Sequence, residues 1–321
     1  MFEALAPQFR QINDLLKNSK EILLSSHEYS DADAVGSLLA LKFSLERQGK
    51  KVCPYIATHL PRDLYFLPDS SQVVGEIKQD RFDLAFGLDY GDFYRLKLPD
   101  NIQFDHFVTI DHHLPSTQRG DIQIVAPEFS STAELLYWWF KFSDFPIDKR
   151  IAGCLVAGIA SDTGGFQHIS TSAETLKAVA DLMSYGVSLP NTIKKLMTFH
   201  NDGATMKLCG RVLSRISLAR ENNLAYSFAT LRDFKECGTE SLYAVDMPNL
   251  IAAASQTNLG LFLIEEEPGY IRGSLRAEPY TGRDVSLIAR AFGGGGHQYA
   301  AGFHYRGSIS EALQKVQELL E

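Results

Sequence analysis

The stretch EILLSSHEYSDADAVGS (21–37) decides the fold. Glu21 to Ser26 reads as a strand buried on both faces, as in a parallel sheet. After Asp31 and Asp33, the residues Ala34 to Gln48 carry apolar side chains at helical spacing. Strand then helix is half of a βαβ unit, and the alternation continues with strands expected at 51–57, 83–88 and 106–110. An α/β fold follows, with a mostly parallel sheet flanked by helices.

Outward from that core, residues 2–18 read as an amphipathic helix, and further helices are expected at 131–142, 149–161 and 173–185, the last stopped by Gly186. Beyond them the texture changes to a helix from 204, a strand near 223–230 and paired strands near 259–266 and 270–276. The expected organisation is a catalytic domain over 1–188, a linker over 189–203 containing Pro190, and a smaller α/β substrate-binding domain over 204–321. A chain of 321 residues is long enough for two such cores.

The longest apolar run, Ile151 to Ala160, is half the roughly 20 residues a membrane span needs. No secretory pattern opens the chain, and Cys53, Cys154, Cys209 and Cys237 form no C-x-x-C pair, so a soluble, cytoplasmic protein without membrane partners is expected. A net charge of −8 lacks the basic footprint of proteins that track long nucleic acids. A homodimer is the expected assembly, as the commonest for soluble enzymes.

Chemistry concentrates at the strand ends. His27, Asp31 and Asp33 follow the first strand, Asp89 closes a later one, and Asp111, His112 and His113 close a third. In an open parallel sheet these ends share one crevice. Asp162 ends an apolar helix, where its charge opposes the helix dipole. Taken singly, Asp31 and Asp33 could cap the helix that follows, Asp92 is read as a cap, Asp89 could be a turn residue, and His112 could be an ordinary packed histidine. Together, so many carboxylates and imidazoles in one crevice repel one another unless divalent cations neutralise them. Oxygen and imidazole donors without thiolates suit manganese or another six-coordinate ion, and two ions suit hydrolysis of a phosphoester.

HEYSDADAVGS (27–37), LDYGD (88–92), IDHH (110–113) and SDTGGF (161–166) resemble, in order and spacing, the four motifs of the DHH phosphoesterases. GSLRA (273–277), DVS (284–286) and GGGGHQYAAGF (293–303) resemble the DHH-associated substrate domain, so the resemblance spans nearly the whole chain. Within the family it is strongest to the NrnA-type nanoRNases, manganese-dependent enzymes acting on short RNA from the 5′ end and on 3′-phosphoadenosine 5′-phosphate. The resemblance implies one metal on His27, Asp31, Asp89 and Asp162 and a second on Asp33, Asp89, His112 and Asp162. It implies His113 beside the scissile phosphate and Asp111 orienting a histidine. Ser30 and Ala32 stand where the family most often has proline and glycine, which leaves the rigidity of that loop to other contacts.

Gly294, Gly295 and Gly296, followed by His297, suggest a backbone cradle for a phosphate, and Arg276 suits a two-pronged phosphate contact. His59, His106, His168, His200 and His304 match no ligand motif, and Tyr137, Trp138, Trp139 and Phe140 read as packing on a helix. The expected function is hydrolysis of short oligonucleotides or small nucleotides. Hydrolysis of pGpG or cyclic dinucleotides is the rival enzyme reading. A silent nucleotide-binding or RNA-binding module is a more distant one.

Overall fold

The structure, a computed structural model, describes residues 2–114, 119–197, 203–219, 221, 223–239, 247–253, 257, 259–278 and 282–320. The chain divides into two compact units, Met1–Thr198 and Phe199–Glu321. Among the described residues no helix is long and apolar enough to cross a membrane.

In the first unit α1 (Ala6–Asn18) leads into β1 (Glu21–Ser26), α2 (Ala32–Arg47), β2 (Lys51–Tyr55), β3 (Arg81–Leu88), β4 (Gln103–Asp111) and β5 (Ile122–Val125). Helices α3 (Thr132–Phe142), α4 (Lys149–Asp162), α5 (Ala173–Ser184) and α6 (Leu189–Met197) follow. The sheet runs β2-β1-β3-β4-β5 with every pairing parallel. Leaving β1, the chain passes to β2 on one side and then to β3 on the other. The β1/β3 boundary is therefore the topological switch point, where ligands bind in open α/β sheets. Pro54, which cannot donate to a ladder, sits on the edge strand β2, where that loss is tolerated.

Strand β5 escaped the sequence reading because four residues are too few to show a period. The expected linker also begins differently: 189–197 is helix α6, which packs on α4, with Leu189 and Leu196 against the core. Pro190 lies in its first turn, where a missing N–H breaks no helical bond. Residues 198–202 of that expected linker lie outside the described residues. The aromatic cluster packs as read, with Tyr137, Trp139 and Phe140 buried and Trp138 half-buried.

The second unit contains α7 (Gly203–Ser214), β6 (Ser217–Ala219), β7 (Leu224–Ala229), α8 (Leu231–Cys237), α9 (Met247–Ala253), β8 (Leu259–Glu267), β9 (Tyr270–Ala277), α10 (Val285–Ala291), β10 (Gly295–His297), β11 (Ala300–Arg306) and α11 (Ile309–Glu318). Its mixed sheet runs β10-β11-β9-β8-β7-β6, parallel only between β7 and β8. The glycine run read as an open loop is partly strand, since Gly295–His297 pairs antiparallel with β11. Side chains at Gly294 and Gly296 would collide with the backbone of β11, at Gly302 and Phe303 and at Ala300 and Ala301 respectively. Those two glycines therefore have a packing role whatever else they touch.

Helices α2 and α4 meet where both lack side chains. A Cβ on Gly36 would lie 2.5 Å from the Cys154 carbonyl oxygen, and one on Gly158 would lie 2.6 Å from both Asp33 Oδ1 and Ala133 Cβ. Gly158→Ala should destabilise the chain by about 1–3 kcal/mol through forced separation of the helices. Denaturant unfolding checks this, and an unchanged midpoint would show the crossing to be looser than drawn.

Candidate metal centre

The rim of the switch point is built by local chemistry. Asp31 is the N-cap of α2, accepting through Oδ1 from Asp33 N and Ala34 N, both at 3.0 Å. The capping role does not compete with a ligand role, because one oxygen caps while the other remains for other partners. Ser30 donates its hydroxyl to the His27 carbonyl, and Glu28 N donates to Arg95 O at 2.9 Å. These bonds hold a loop that has no proline.

Asp33 is wholly buried at the head of α3, its Oδ2 accepting from Thr132 N at 2.7 Å and its Oδ1 from Ala133 N at 2.9 Å. The positive end of a helix should favour its charge. Burial outweighs that help, and with Asp89, Asp162 and Asp31 adding repulsion the Asp33 carboxyl lies well above its ordinary range. Asp162, at the last position of α4, is pushed up to about 6, by burial first and by Asp31 and Asp89 besides, against the pull of His112.

Asp89 sits in left-handed backbone, φ 51°, which an aspartate tolerates better than most residues. Its two oxygens face different imidazoles: Oδ2 is 3.8 Å from His27 Nε2 and Oδ1 is 3.6 Å from His112 Nε2. Burial opposes its charge, but the hydrogen bond to His113 and the three histidines around it prevail and hold its carboxyl below the usual range. Thr132 Oγ1 donates to Oδ1 at 3.1 Å.

Asp111 acts on its neighbours. Its Oδ2 accepts from Tyr90 N at 3.0 Å and Gly91 N at 2.8 Å, fixing the turn after Asp89. Its Oδ1 takes His113 N and His113 Nδ1, each at 2.9 Å. Burial works against a charged His113, yet the bonds to Asp111 and Asp89 push its pKa up to about 11. For His112, likewise, burial lowers the pKa while Asp162 and Asp89 raise it, and the net shift is upward.

Three sets of donors lie with their ligand atoms within 4.8 Å of one another: His27 with Asp31 and Asp89, Asp33 with His112 and Asp162, and Asp89 with His112 and His113. His112 Nε2 is buried and 3.0 Å from Asp162 Oδ2, yet off the hydrogen-bonding direction and without a hydrogen-bond partner among the described residues. A buried ring nitrogen 3.0 Å from one carboxylate and 3.6 Å from another is suitably placed to share a cation with them. The donors are oxygen and imidazole, with no thiol among them, so the set fits a six-coordinate divalent ion.

Sequence reasoning missed Arg95, whose Nη2 lies 3.0 Å from His27 Nδ1 and whose Nη1 donates to Tyr90 O at 3.1 Å. The same His27 nitrogen lies 2.8 Å from the Glu28 carbonyl; the tautomer that donates to this oxygen leaves Nε2 as the lone-pair face, and Arg95 is then a neighbour of the ring and not a donor to it. It also missed the α3 N-terminus, whose donors hold Asp33 across 99 and 100 residues of sequence. Asp92 makes no side-chain cap bond to the short 3₁₀ turn that follows it. His168 Nδ1 lies 2.8 Å from the Asp162 carbonyl oxygen, His304 stacks on Tyr270, and His200 lies outside the described residues. In the second unit, Arg276 lies on β9 opposite Ala300, and Nη1 donates to the Leu275 carbonyl at 3.0 Å. The His297 side chain lies outside the described residues.

Raised pKa values make the metal-free protein pH-sensitive. Carboxyls at Asp33 and Asp162 whose folded pKa exceeds the unfolded value favour folding at low pH; that contribution is lost as pH rises from the ordinary carboxylate range toward the folded pKa, and the share of Asp162 is gone above about 6. The raised histidines add in the same direction. After chelation the Tm should fall between pH 5 and pH 8, and manganese at about 100 times its Kd should restore about 2.7 kcal/mol at pH 8. Scanning calorimetry reads both, and a metal-free Tm that rises with pH would contradict the account.

Residues 21–159 match the DHH family, N-terminal domain. The chain is 28% identical to the bifunctional oligoribonuclease and PAP phosphatase NrnA of Thermus thermophilus, covering 97% of this chain and 93% of that protein. It is 27% identical to the protein of the same name from Bacillus subtilis, covering 88% of each. An exopolyphosphatase-related protein from Bacteroides fragilis superposes with a TM-score of 0.89 at 25% identity, over 98% of this chain and 95% of that one. Residues 21–159 are thus similar to the N-terminal domain of the DHH family, and over most of its length the chain is similar to proteins named NrnA.

Proposed function

We propose that this chain is a metal-dependent phosphoesterase that hydrolyses oligonucleotides of a few residues, working from the 5′ end, and 3′-phosphoadenosine 5′-phosphate. The observation that carries the reading is Asp89, shared between two ligand groups with one oxygen toward His27 and the other toward His112. Similarity to two proteins named bifunctional oligoribonuclease and PAP phosphatase supports the substrate class.

His27, Asp31, Asp89 and Asp162 would hold one divalent ion and Asp33, Asp89, His112 and Asp162 a second, with manganese the best match to these donors. Such ions supply positive charge to the phosphate oxygens and bring the pKa of water toward neutrality. The protein's own groups do the rest. With Nδ1 of His113 committed to Asp111, its Nε2 is the atom to contact the phosphate or protonate the leaving oxygen. Asp111 is a positioning residue for that ring and for the turn after Asp89.

The second unit would grip substrate through Arg276, the backbone of Gly294, Gly295 and Gly296, and His297. The cysteines are free, as suits a reducing cytoplasm, and three of them are buried.

With manganese, the protein should hydrolyse two- to five-residue RNA and 3′-phosphoadenosine 5′-phosphate, assayed beside pGpG and cyclic dinucleotides. Preference for either of the latter would redirect the substrate assignment, and no turnover of any of them would leave a silent binding module. Asp89→Ala should lower kcat by about 1000-fold or more, and retained turnover would be incompatible with a shared ligand. His113→Asn should cost about 100- to 10,000-fold in kcat, the usual worth of a proton donor. Arg276→Ala should chiefly raise KM.

A further inference from the structure

A hollow of about 1260 Å³ lies in the first unit, and its wall includes Tyr29, Thr58, His59, Tyr65, Asp69 and Glu76. Tyr29 stands midway in sequence between His27 and Asp31, so one loop supplies both a residue of this wall and two of the candidate metal donors. Its ring is 77% exposed, and Tyr65 on the same hollow is 58% exposed. Tyr29 also adopts φ 56°, a left-handed backbone that a bulky side chain avoids. The conformation is held from outside the residue: Tyr29 N donates to Thr58 Oγ1 at 2.9 Å, and the preceding Glu28 N is tied to Arg95 O at 2.9 Å. Packing does not account for a strained aromatic residue that is turned toward water.

The lining selects a kind of ligand. Exposed tyrosine rings offer faces on which a nucleobase stacks. Thr58 and Ser71 bring hydroxyls that suit a ribose. Asp69 and Glu76 are carboxylates, so a phosphate is repelled from this hollow while a neutral base and sugar are not.

We propose that this hollow seats the base and ribose of a nucleotide bonded to the phosphate being cut, with Tyr29 as the stacking surface. The choice of nucleotide rests on the phosphoesterase reading above. The loop then has two duties, ligating metal on one side and registering the adjacent base on the other. It follows that the enzyme distinguishes a nucleotide from a plain phosphate ester within its first unit.

Steady-state hydrolysis of pApA, and of two analogues with one or the other nucleotide abasic, tests this on the full manganese-loaded chain. The wild type should cut pApA with kcat/KM about tenfold or more above one of the abasic analogues, the usual worth of one stacked base. Tyr29→Ala should bring that ratio toward one, mainly through KM, while Tyr29→Phe keeps it because phenylalanine also stacks. Partial misfolding would lower all the rates together and leave the ratio intact. Calorimetric binding of AMP reads the hollow without turnover, and its Kd should weaken about tenfold in Tyr29→Ala. Where pApA is cut, a ratio unchanged by Tyr29→Ala overturns the hollow's role. Where pApA is not cut, AMP binding decides: sensitivity to Tyr29→Ala upholds the seat and indifference removes it, while the phosphoesterase reading itself falls only if no substrate of the panel above is hydrolysed.

Discussion

The constraint on which this molecule turns is the cost of holding Asp33 without water. Its carboxylate is buried and receives backbone donors at the head of a helix, and still burial and three neighbouring carboxylates drive its pKa upward. Neutral hydrogen bonds cannot offset that much crowded negative charge, whereas a small divalent ion can. The fold makes this tolerable by placing these carboxylates and imidazoles at the rim of a parallel sheet, where strand ends from distant sequence come together. Sheet order, capping and site chemistry thus answer to one electrostatic demand.

Much of this was legible in the sequence because these acidic and imidazole groups sit at strand and helix ends, and those ends announce themselves. A buried strand followed by two aspartates and a helical period locates His27, Asp31 and Asp33, and the Asp89 and Asp111 to His113 segments repeat the pattern. Asp162 was legible through its wrong-signed place at a helix C-terminus, an unfavourable position that calls for a compensating charge.

What escaped the reading lacks a local signal. Strand β5 is too short to show a period, and α6 hid behind a proline that its first turn accommodates. Arg95 is an ordinary residue of a 3₁₀ turn until folding brings it to His27, and Thr132 and Ala133 contribute through backbone N–H groups that no sequence displays. The glycine run misleads in another way. Conformational freedom and close packing demand the same residue, and at Gly294 and Gly296 the packing against β11 is what the fold displays.

The crossing of α2 and α4 at Gly36 and Gly158 carries a lesson of its own. One helix bears Asp33 and the other ends at Asp162, so the gap between two reactive groups is set where two side chains are missing. A survey that looks for chemically active groups would pass over both positions. In this protein the instrument's calibration is written in empty space.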